Sequence, residues 1–384
     1  MNKLRNPFNR TEQNRTEQDR TGQRIPWLDY ARAIAILLVV LVHATENLYS
    51  MKAEVLMAMS GPSFLFALTT FTLGRMGVPL FLFLTGYLLL DRDYDISRIY
   101  HFWRKNWLAL LVTTEIWIIL YNVFLRVFHF QHWSTRGLLK DMFFLNQVHM
   151  GHMWYMPMII GLYVCIPFAA RALKGISNRA LTFPLLFLGA YVFCVPFWNQ
   201  AYGENPGQGF VLDVGFSGGI YGIYVVMGLL VKRGLLARVS VRTLGGGCFL
   251  FFLLTLGSEL FAYHMGRTYN VWYNCCFLLL SSLFLFVWLS RFSFSFDHRV
   301  LSWLGRMSFG LYLVHFPFIL LLRNPILSLS IIMPVKVIFY MGWSWESVWE
   351  FALLSVIFPK QDAFFCMIVS LGLLHEKYFQ KLFL

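Results

Sequence analysis

From about residue 30 onward the chain alternates between long apolar blocks and short polar, mostly basic connectors. Apolar segments fall at about 33–48, 76–90, 107–125, 153–170, 180–198, 214–231, 244–262, 271–290 and 308–322. Most run to roughly 15–20 residues, close to the length that crosses the hydrocarbon core of a bilayer. The blocks are continuously apolar rather than alternating, which predicts helices and argues against a membrane β-barrel. Gly and Pro occur in most of them, as bilayer helices tolerate. The remainder, 323–384, is apolar but broken by Pro325, Pro334 and Pro359, and predicts one further span, over 363–374 or 326–341. The expected fold class is therefore all-α, a polytopic integral membrane protein of about ten transmembrane helices.

Composition agrees with the pattern. Hydrophobic residues make up 58% of the 384 positions and charged residues only 13%, against about 45–50% and 25% in soluble domains. Residues 1–28 form a polar tail in which Asn9-Arg-Thr-Glu-Gln13 recurs as Asn14-Arg-Thr-Glu-Gln18. Too few apolar residues are present there to form a core, so a disordered tail is expected. No cleavable signal peptide is expected, because the first apolar run lacks a small-residue cleavage site after it. The six cysteines, Cys165, Cys194, Cys248, Cys275, Cys276 and Cys366, all lie in apolar blocks without metal or disulfide spacing, and read as small core residues.

The net charge of +13 changes the picture only through its distribution. With the N-terminus in the cytoplasm, the cytoplasmic stretches 1–29, 91–107, 171–179, 232–242 and 291–306 hold 20 Lys and Arg, and the opposite stretches 46–75, 126–152, 199–217 and 263–270 hold 6. This is the positive-inside asymmetry. It accounts for much of the charge without a nucleic-acid partner, and none is expected.

The first apolar segment carries the chemistry. It reads Trp27-Leu-Asp29-Tyr-Ala-Arg32, then ten residues to His43, then Ala-Thr-Glu46. Eleven residues at about 100° each fall about 20° short of or beyond whole turns, so Arg32 and His43 share a helix face roughly 16 Å apart along the axis. Asp29 and Glu46 fall near the same face. Taken alone, such a pair is more often an interfacial anchor and a satisfied bundle histidine. Intramembrane ionisable groups otherwise face a bundle interior or a wet cavity, and a polar stripe of this kind suits a substrate channel.

Four motifs in order resemble the acyltransferase-3 family of membrane acyltransferases. Arg32 and His43 occupy its first helix. Arg75-Met-Gly-Val-Pro79, leading to Thr85-Gly86-Tyr87, is similar to its second-helix signature, with Thr85 where Ser is more usual. His152-Met-Trp154-Tyr155, followed by Gly161-Leu-Tyr163 and Pro167, is similar to a later helix, and Ser308-Phe-Gly310-Leu-Tyr312-Leu-Val-His315-Phe-Pro317 to the late one. The resemblance covers about 26–322 and is greatest to bacterial enzymes that O-acetylate surface polysaccharides. It implies a membrane acyltransferase domain over 29–322, an uncertain apolar segment over 323–384, and a multi-pass protein of the bacterial inner membrane with a cytoplasmic N-terminus. Several family members carry an Arg-x-x-Arg pair in the loop after the second helix. Here that loop reads Arg98-Ile-Tyr-His101-Phe-Trp-Arg104-Lys105, basic without that spacing. Beyond Arg323 the sequence departs from the resemblance.

Acyl transfer from a thioester to a hydroxyl needs a proton acceptor, and imidazole titrates near neutral pH. His43 is the expected general base. Glu46, three residues on, either orients it or is a helix-end residue. Arg32, Arg98, Arg104 and Lys105 are expected on the cytoplasmic side, where Arg offers a fork of donors to CoA phosphates; plain positive-inside charge explains the loop residues equally well. Arg75 is expected to meet the acceptor or close a salt bridge. His152, Trp154, Tyr155, Tyr312 and His315 are expected around the substrate. His129, His132, His149 and His152 form two His-x-x-His pairs, but the spacing fits no zinc module and no metal is expected. Gly245-Gly-Gly247 lacks the context of a phosphate loop and reads as helix packing. The expected donor is acyl-CoA, acetyl-CoA in the first instance, with no permanently bound cofactor. The expected acceptor is a hydroxyl of a surface or lipid-linked glycan, reached at the bilayer. The alternative is a non-enzymatic transporter or exporter of a polysaccharide or lipid-linked sugar, with the Arg32–His43 stripe as its path.

Overall fold

The computed structural model describes residues 25–128, 134–145, 151–203, 219–292 and 299–342. Among the described residues every regular element is helical. In chain order these are α1 (Pro26–Tyr49), α2 (Ala53–Met57), α3 (Gly61–Arg75), α4 (Gly77–Leu89), α5 (Ile96–Phe102), α6 (Leu108–Val127), α7 (Thr135–Met142), α8 (Tyr155–Leu173), α9 (Asn178–Gly189), α10 (Val195–Ala201), α11 (Gly219–Lys232), α12 (Val241–His264), α13 (Cys276–Leu289) and α14 (Arg299–Ser328), then α15 (Met333–Gly342). Seven spans are long and apolar enough to cross a membrane: Pro26–Tyr49, Gly61–Leu89, Ile96–Val127, Gly151–Leu173, Asn178–Ala201, Val241–His264 and Arg299–Ser328. Three shorter apolar helices accompany them, α11, α13 and α15. The protein is an all-α, polytopic membrane protein.

The centre of the bundle is α1. Its sequence is apolar almost all round, the mark of a helix with neighbours on every side, and α14, α3 and α4 pack against it most extensively. Pro26 occupies the first turn, where its missing N–H costs nothing, and the helix ends where Ser50 turns left-handed (φ 49°) and its N–H returns to the Glu46 carbonyl at 3.1 Å.

Close helix crossings are made by glycine. A Cβ on Gly86 of α4 would lie 1.7 Å from the Val225 carbonyl oxygen of α11, and one on Gly228 of α11 would lie 2.1 Å from the Phe83 carbonyl oxygen. Any side chain at either position would push α4 and α11 apart. Small residues at the contact are how membrane helices gain dispersion energy where burial from water drives little.

Two helices differ from the apolar pattern. The expected connector 46–75 contains α3, which with α4 forms one span, Gly61–Leu89. The polar residues that interrupt its hydropathy are satisfied within the bundle: Thr70 donates to the Phe66 carbonyl at 2.8 Å, and the Thr72 hydroxyl lies between the Leu68 carbonyl, at 2.7 Å, and the Glu259 carboxylate. Arg75 is therefore inside a span rather than in a loop. Toward the C-terminus, α14 continues to Ser328 through Pro317 and Pro325, so the expected span 326–341 is divided between the end of α14 and the short helix α15, Met333–Gly342. The other expected span, 363–374, lies outside the described residues, as do Cys366 and residues 1–24 of the expected tail 1–28; the end of that tail, Pro26 to Leu28, is helical and belongs to α1.

Candidate active site

The site is built where α1, α3, α8 and α14 meet. His43 and Glu46 stand one turn apart on α1, and His43 Nδ1 lies 3.0 Å from Glu46 Oε2. The other carboxylate oxygen, Oε1, accepts from Arg75 Nη2 at 2.8 Å. A doubly held carboxylate fixes the imidazole's orientation. Because Glu46 accepts at Nδ1, the proton is assigned to that nitrogen and the lone pair to Nε2. The Arg75 guanidinium is itself packed between rings, its carbon 4.5 Å from the Phe71 ring centre and 4.6 Å from that of Trp272. Cation–π contact of this kind is worth about 2 kcal/mol when desolvated.

Two further histidines close on His43. The His315 ring centre lies 5.5 Å from it, that of His152 6.2 Å, and the two are 5.0 Å from each other. Phe316 stacks on His152 at 4.6 Å and meets His43 edge-on at 5.5 Å. His315 Nδ1 donates to the Tyr312 carbonyl at 2.7 Å, leaving its Nε2 without a partner. The Tyr121 hydroxyl donates to the Leu313 carbonyl and lies 3.2 Å from His152 Nε2. Nε2 is thus assigned the His152 proton, and Nδ1 has no partner. Both rings are buried, so two bare acceptor nitrogens face the interior. Buried polar atoms are rarely left so. Among the described residues no group of three or more His, Cys, Asp or Glu is arranged to hold a metal ion.

A cavity of about 460 Å³ leads toward this cluster. Arg32, Arg92, Lys105 and Asn106 line one part of it, and Val39, Phe81, Leu84, Leu88 and Ile159 its apolar wall. Along α8 the lining runs from Tyr163 through Ile159 to Tyr155, where Tyr312 joins it. The Tyr312 ring is 5.7 Å from Tyr155 and 5.3 Å from His152, and its hydroxyl donates to the His152 carbonyl at 2.7 Å. Tyr155 and Tyr312 therefore stand between cavity and histidines, and His43 is not on the cavity wall. The π-helical turn Trp103–Trp107, between α5 and α6, shifts the helix phase where Lys105 and Asn106 reach the wall. Such turns recur at functional sites.

The sequence-based candidates divide accordingly. Arg32 lines the cavity while paired with Asp29 at 2.8 Å, and Lys105 lines it too. Arg98 and Arg104 are exposed and not among the lining residues. The Arg98 backbone N–H is capped by Asp95 at 2.8 Å, and its guanidinium reaches the Asp93 carbonyl at 3.3 Å, so it fastens the start of α5. Arg75 closes a salt bridge. Trp154 packs 5.4–5.7 Å from Tyr221, Trp272 and Tyr273. His129, His132 and His149 lie outside the described residues. Gly245 and Gly247 face Trp288 and Phe284, as helix packing requires. Arg92 was not singled out by sequence, although Leu84, Leu88 and Arg92 recur at helical spacing on one cavity wall. Near it, hydrogen bonding from Lys174 holds the Asp93 carboxyl below the usual range.

Residues 25–358 match the family model described as acyltransferase domain. No curated protein and no solved structure matches the chain. The match covers every residue of the site and continues past the last of the four motifs, through residue 358. The chain belongs to the acyltransferase-3 family and is a membrane acyltransferase, moving an acyl group to a hydroxyl.

Proposed function

We propose that the protein transfers an acetyl group from acetyl-CoA to a hydroxyl of a cell-surface or lipid-linked glycan, in the bacterial inner membrane with its N-terminus cytoplasmic. One observation carries this reading: a cavity with cations at one part of its wall, and tyrosines backed by three histidines at another. Arg32, Arg92 and Lys105 suit the phosphates of CoA, to which guanidinium offers paired donors and ammonium a point charge. The apolar wall suits the pantetheine arm. The likeness of the four motifs to polysaccharide O-acetyltransferases, the enterobacterial common antigen acetyltransferase among them, favours a glycan acceptor.

The chemistry then follows from the pair on α1. The acceptor oxygen attacks the thioester carbonyl as His43 Nε2 takes the hydroxyl proton, and Glu46 steadies the imidazolium through Nδ1. The tetrahedral intermediate collapses by breaking the carbon–sulfur bond. The proton passes from His43 to the departing thiolate, giving CoA and the ester. The bare nitrogens of His152 and His315 suit hydrogen bonds from the acceptor's hydroxyls. No bound cofactor or metal is required, and acyl-CoA, the glycan and the bilayer are the partners. The test is CoA release by purified protein in liposomes with acetyl-CoA and envelope glycans, beside acetylation profiling of those glycans with and without the gene. Absence of release with any acceptor, together with glycan transport, would replace this reading with the export one.

A further inference from the structure

Glu259 is a fully buried carboxylate near the end of α12, and the acyl-transfer chemistry above makes no use of it. An intramembrane carboxylate is costly and is kept for a purpose. Its contacts say which. Oε2 accepts from the Thr72 hydroxyl of α3, three residues before Arg75. Oε1 accepts from the Val271 backbone N–H at 2.8 Å. Val271 lies in the connector between α12 and α13 and directly precedes Trp272 and Tyr273, whose rings lie against the Arg75 guanidinium at 4.6 and 5.7 Å. One carboxylate thus clamps together the helix that carries Arg75 and the segment that walls it in.

We propose that Glu259 is a positioning residue for the acid–base pair: by holding Val271 against α3 it keeps Trp272 and Tyr273 on Arg75, and so keeps Glu46 aimed at His43. This rests on the acyl-transfer reading of that pair. The clamp acts through hydrogen-bond geometry. The segment has other ties, since Asn270 donates to the Met51 carbonyl at 2.8 Å and Tyr224 to the Tyr273 carbonyl at 2.9 Å. Loss of the Glu259 bonds therefore frees the Val271–Trp272 backbone while the connector stays attached.

Exchanges at Glu259 and its partners separate positioning from bulk stability. Glu259→Gln keeps an acceptor for Val271 and a partner for Thr72, whose proton turns to Leu68. Glu259→Leu fills similar space and keeps neither bond. The expected result is near-wild-type turnover for Glu259→Gln. For Glu259→Leu, kcat falls about ten- to a hundredfold, the scale of a misplacement of about 1 Å, with the donor KM unchanged. In an Arg75→Ala background the Leu exchange adds nothing further to kcat, because the contact it positions is already gone. If Glu259→Leu does not purify folded, Thr72→Val, which removes one arm of the clamp, is judged by the same split. Equal kcat for wild type and a folded Glu259→Leu, or a donor KM that rises in step with the loss, overturns the assignment alone. Absence of CoA release by wild type with every acceptor overturns the acyl-transfer reading and the assignment with it.

Discussion

Glu46 joins His43 to Arg75 with one oxygen for each, at 3.0 and 2.8 Å. The two contacts have different consequences. The Arg75 guanidinium can only donate, so it claims one oxygen and leaves the other to take the imidazole's N–H. Glu46, an acceptor at both oxygens, sets the tautomer of the ring, and Arg75 decides which oxygen the ring receives.

That relationship makes Glu46→Gln a sharper test than deletion. Arg75 will hold the amide oxygen, which turns the amide NH2 toward His43 Nδ1. The imidazole must then accept at Nδ1 and carry its proton on Nε2, where the acceptor hydroxyl needs a lone pair. The corresponding exchange in a protease triad costs about 10⁴ in kcat. A loss of at least about a hundredfold in kcat is expected here, with donor KM and thermal stability near wild type. Unchanged CoA release would remove Glu46 from the mechanism.

The donor end predicts a divided set of cations. Arg32→Gln, Arg92→Gln and Lys105→Gln each remove a cation from the cavity wall, and each should raise the acyl-CoA KM about tenfold, the value of one charge-assisted contact. Arg98→Gln and Arg104→Gln, off that wall, should leave it within about twofold. Higher salt should weaken donor use by wild type and shrink these differences, since exposed charges are screened. Equal effects from all five would assign the charge to topology alone.

The difference between these two groups shows what the sequence holds and what it does not. The apolar blocks, and the shared face of Arg32 and His43, follow from local periodicity, so the helices and the core of the site were legible. Which loop cations meet the cavity was not, because Arg104 and Lys105 are neighbours and a single π turn decides between them. Arg75 read as a loop residue because its own charge and the threonines before it interrupt the hydropathy of α3. The pairing that makes it a buried residue, with Glu46 of α1 and Trp272 of a later connector, spans about half the chain. Glu259 stood in plain view as a carboxylate inside an apolar block, but its partners, Thr72 and Val271, are set by tertiary packing alone.

Orientation is testable in a cysteine-free background. Ile176 lies in the turn between α8 and α9 and Arg136 in α7, and both are exposed. The basic asymmetry of 20 to 6 puts the first in the cytoplasm and the second outside. An impermeant thiol reagent on intact inner-membrane spheroplasts should label Arg136→Cys and spare Ile176→Cys. The reverse pattern would invert the bundle and put the acyl-CoA cavity on the wrong side of the membrane.

The α4–α11 crossing predicts a fold defect independent of chemistry. Gly86→Val places a Cβ about where the Val225 carbonyl stands, at 1.7 Å, and overpacking of this kind costs about 1–3 kcal/mol or more. The folded yield after size-exclusion chromatography and the melting temperature should both fall. Gly257→Ala, in α12 with open space around its Cβ, should leave both unchanged. A stable Gly86→Val would show that the two helices are not in this contact.

His43 carries the decisive prediction. Its Nδ1 is committed to Glu46, so any proton it takes must arrive at Nε2; the His152 and His315 ring centres lie 6.2 and 5.5 Å from its own. Gln at this position matches the size and polarity of imidazole and can still meet Glu46 through its amide NH2, so the variant should insert and fold. It has no basic nitrogen to receive the hydroxyl proton. General-base catalysis is worth about 10²–10⁴ in rate, and the expected loss in kcat lies in or above that range, with donor KM little changed because the cations of the cavity are untouched. His152→Gln and His315→Gln keep the base and remove a bare acceptor nitrogen, while the amide NH2 can take over the ring N–H bonds to Tyr121 and the Tyr312 carbonyl, so each should lower kcat less than His43→Gln and raise the acceptor KM instead. The measurement is CoA release against time for the three variants at matched protein, with acceptor varied at saturating acetyl-CoA. A His43→Gln protein that releases CoA as wild type does, while either of the other two is inactive, would move the base from α1 to the ring that had lost activity, since that ring too presents a bare nitrogen.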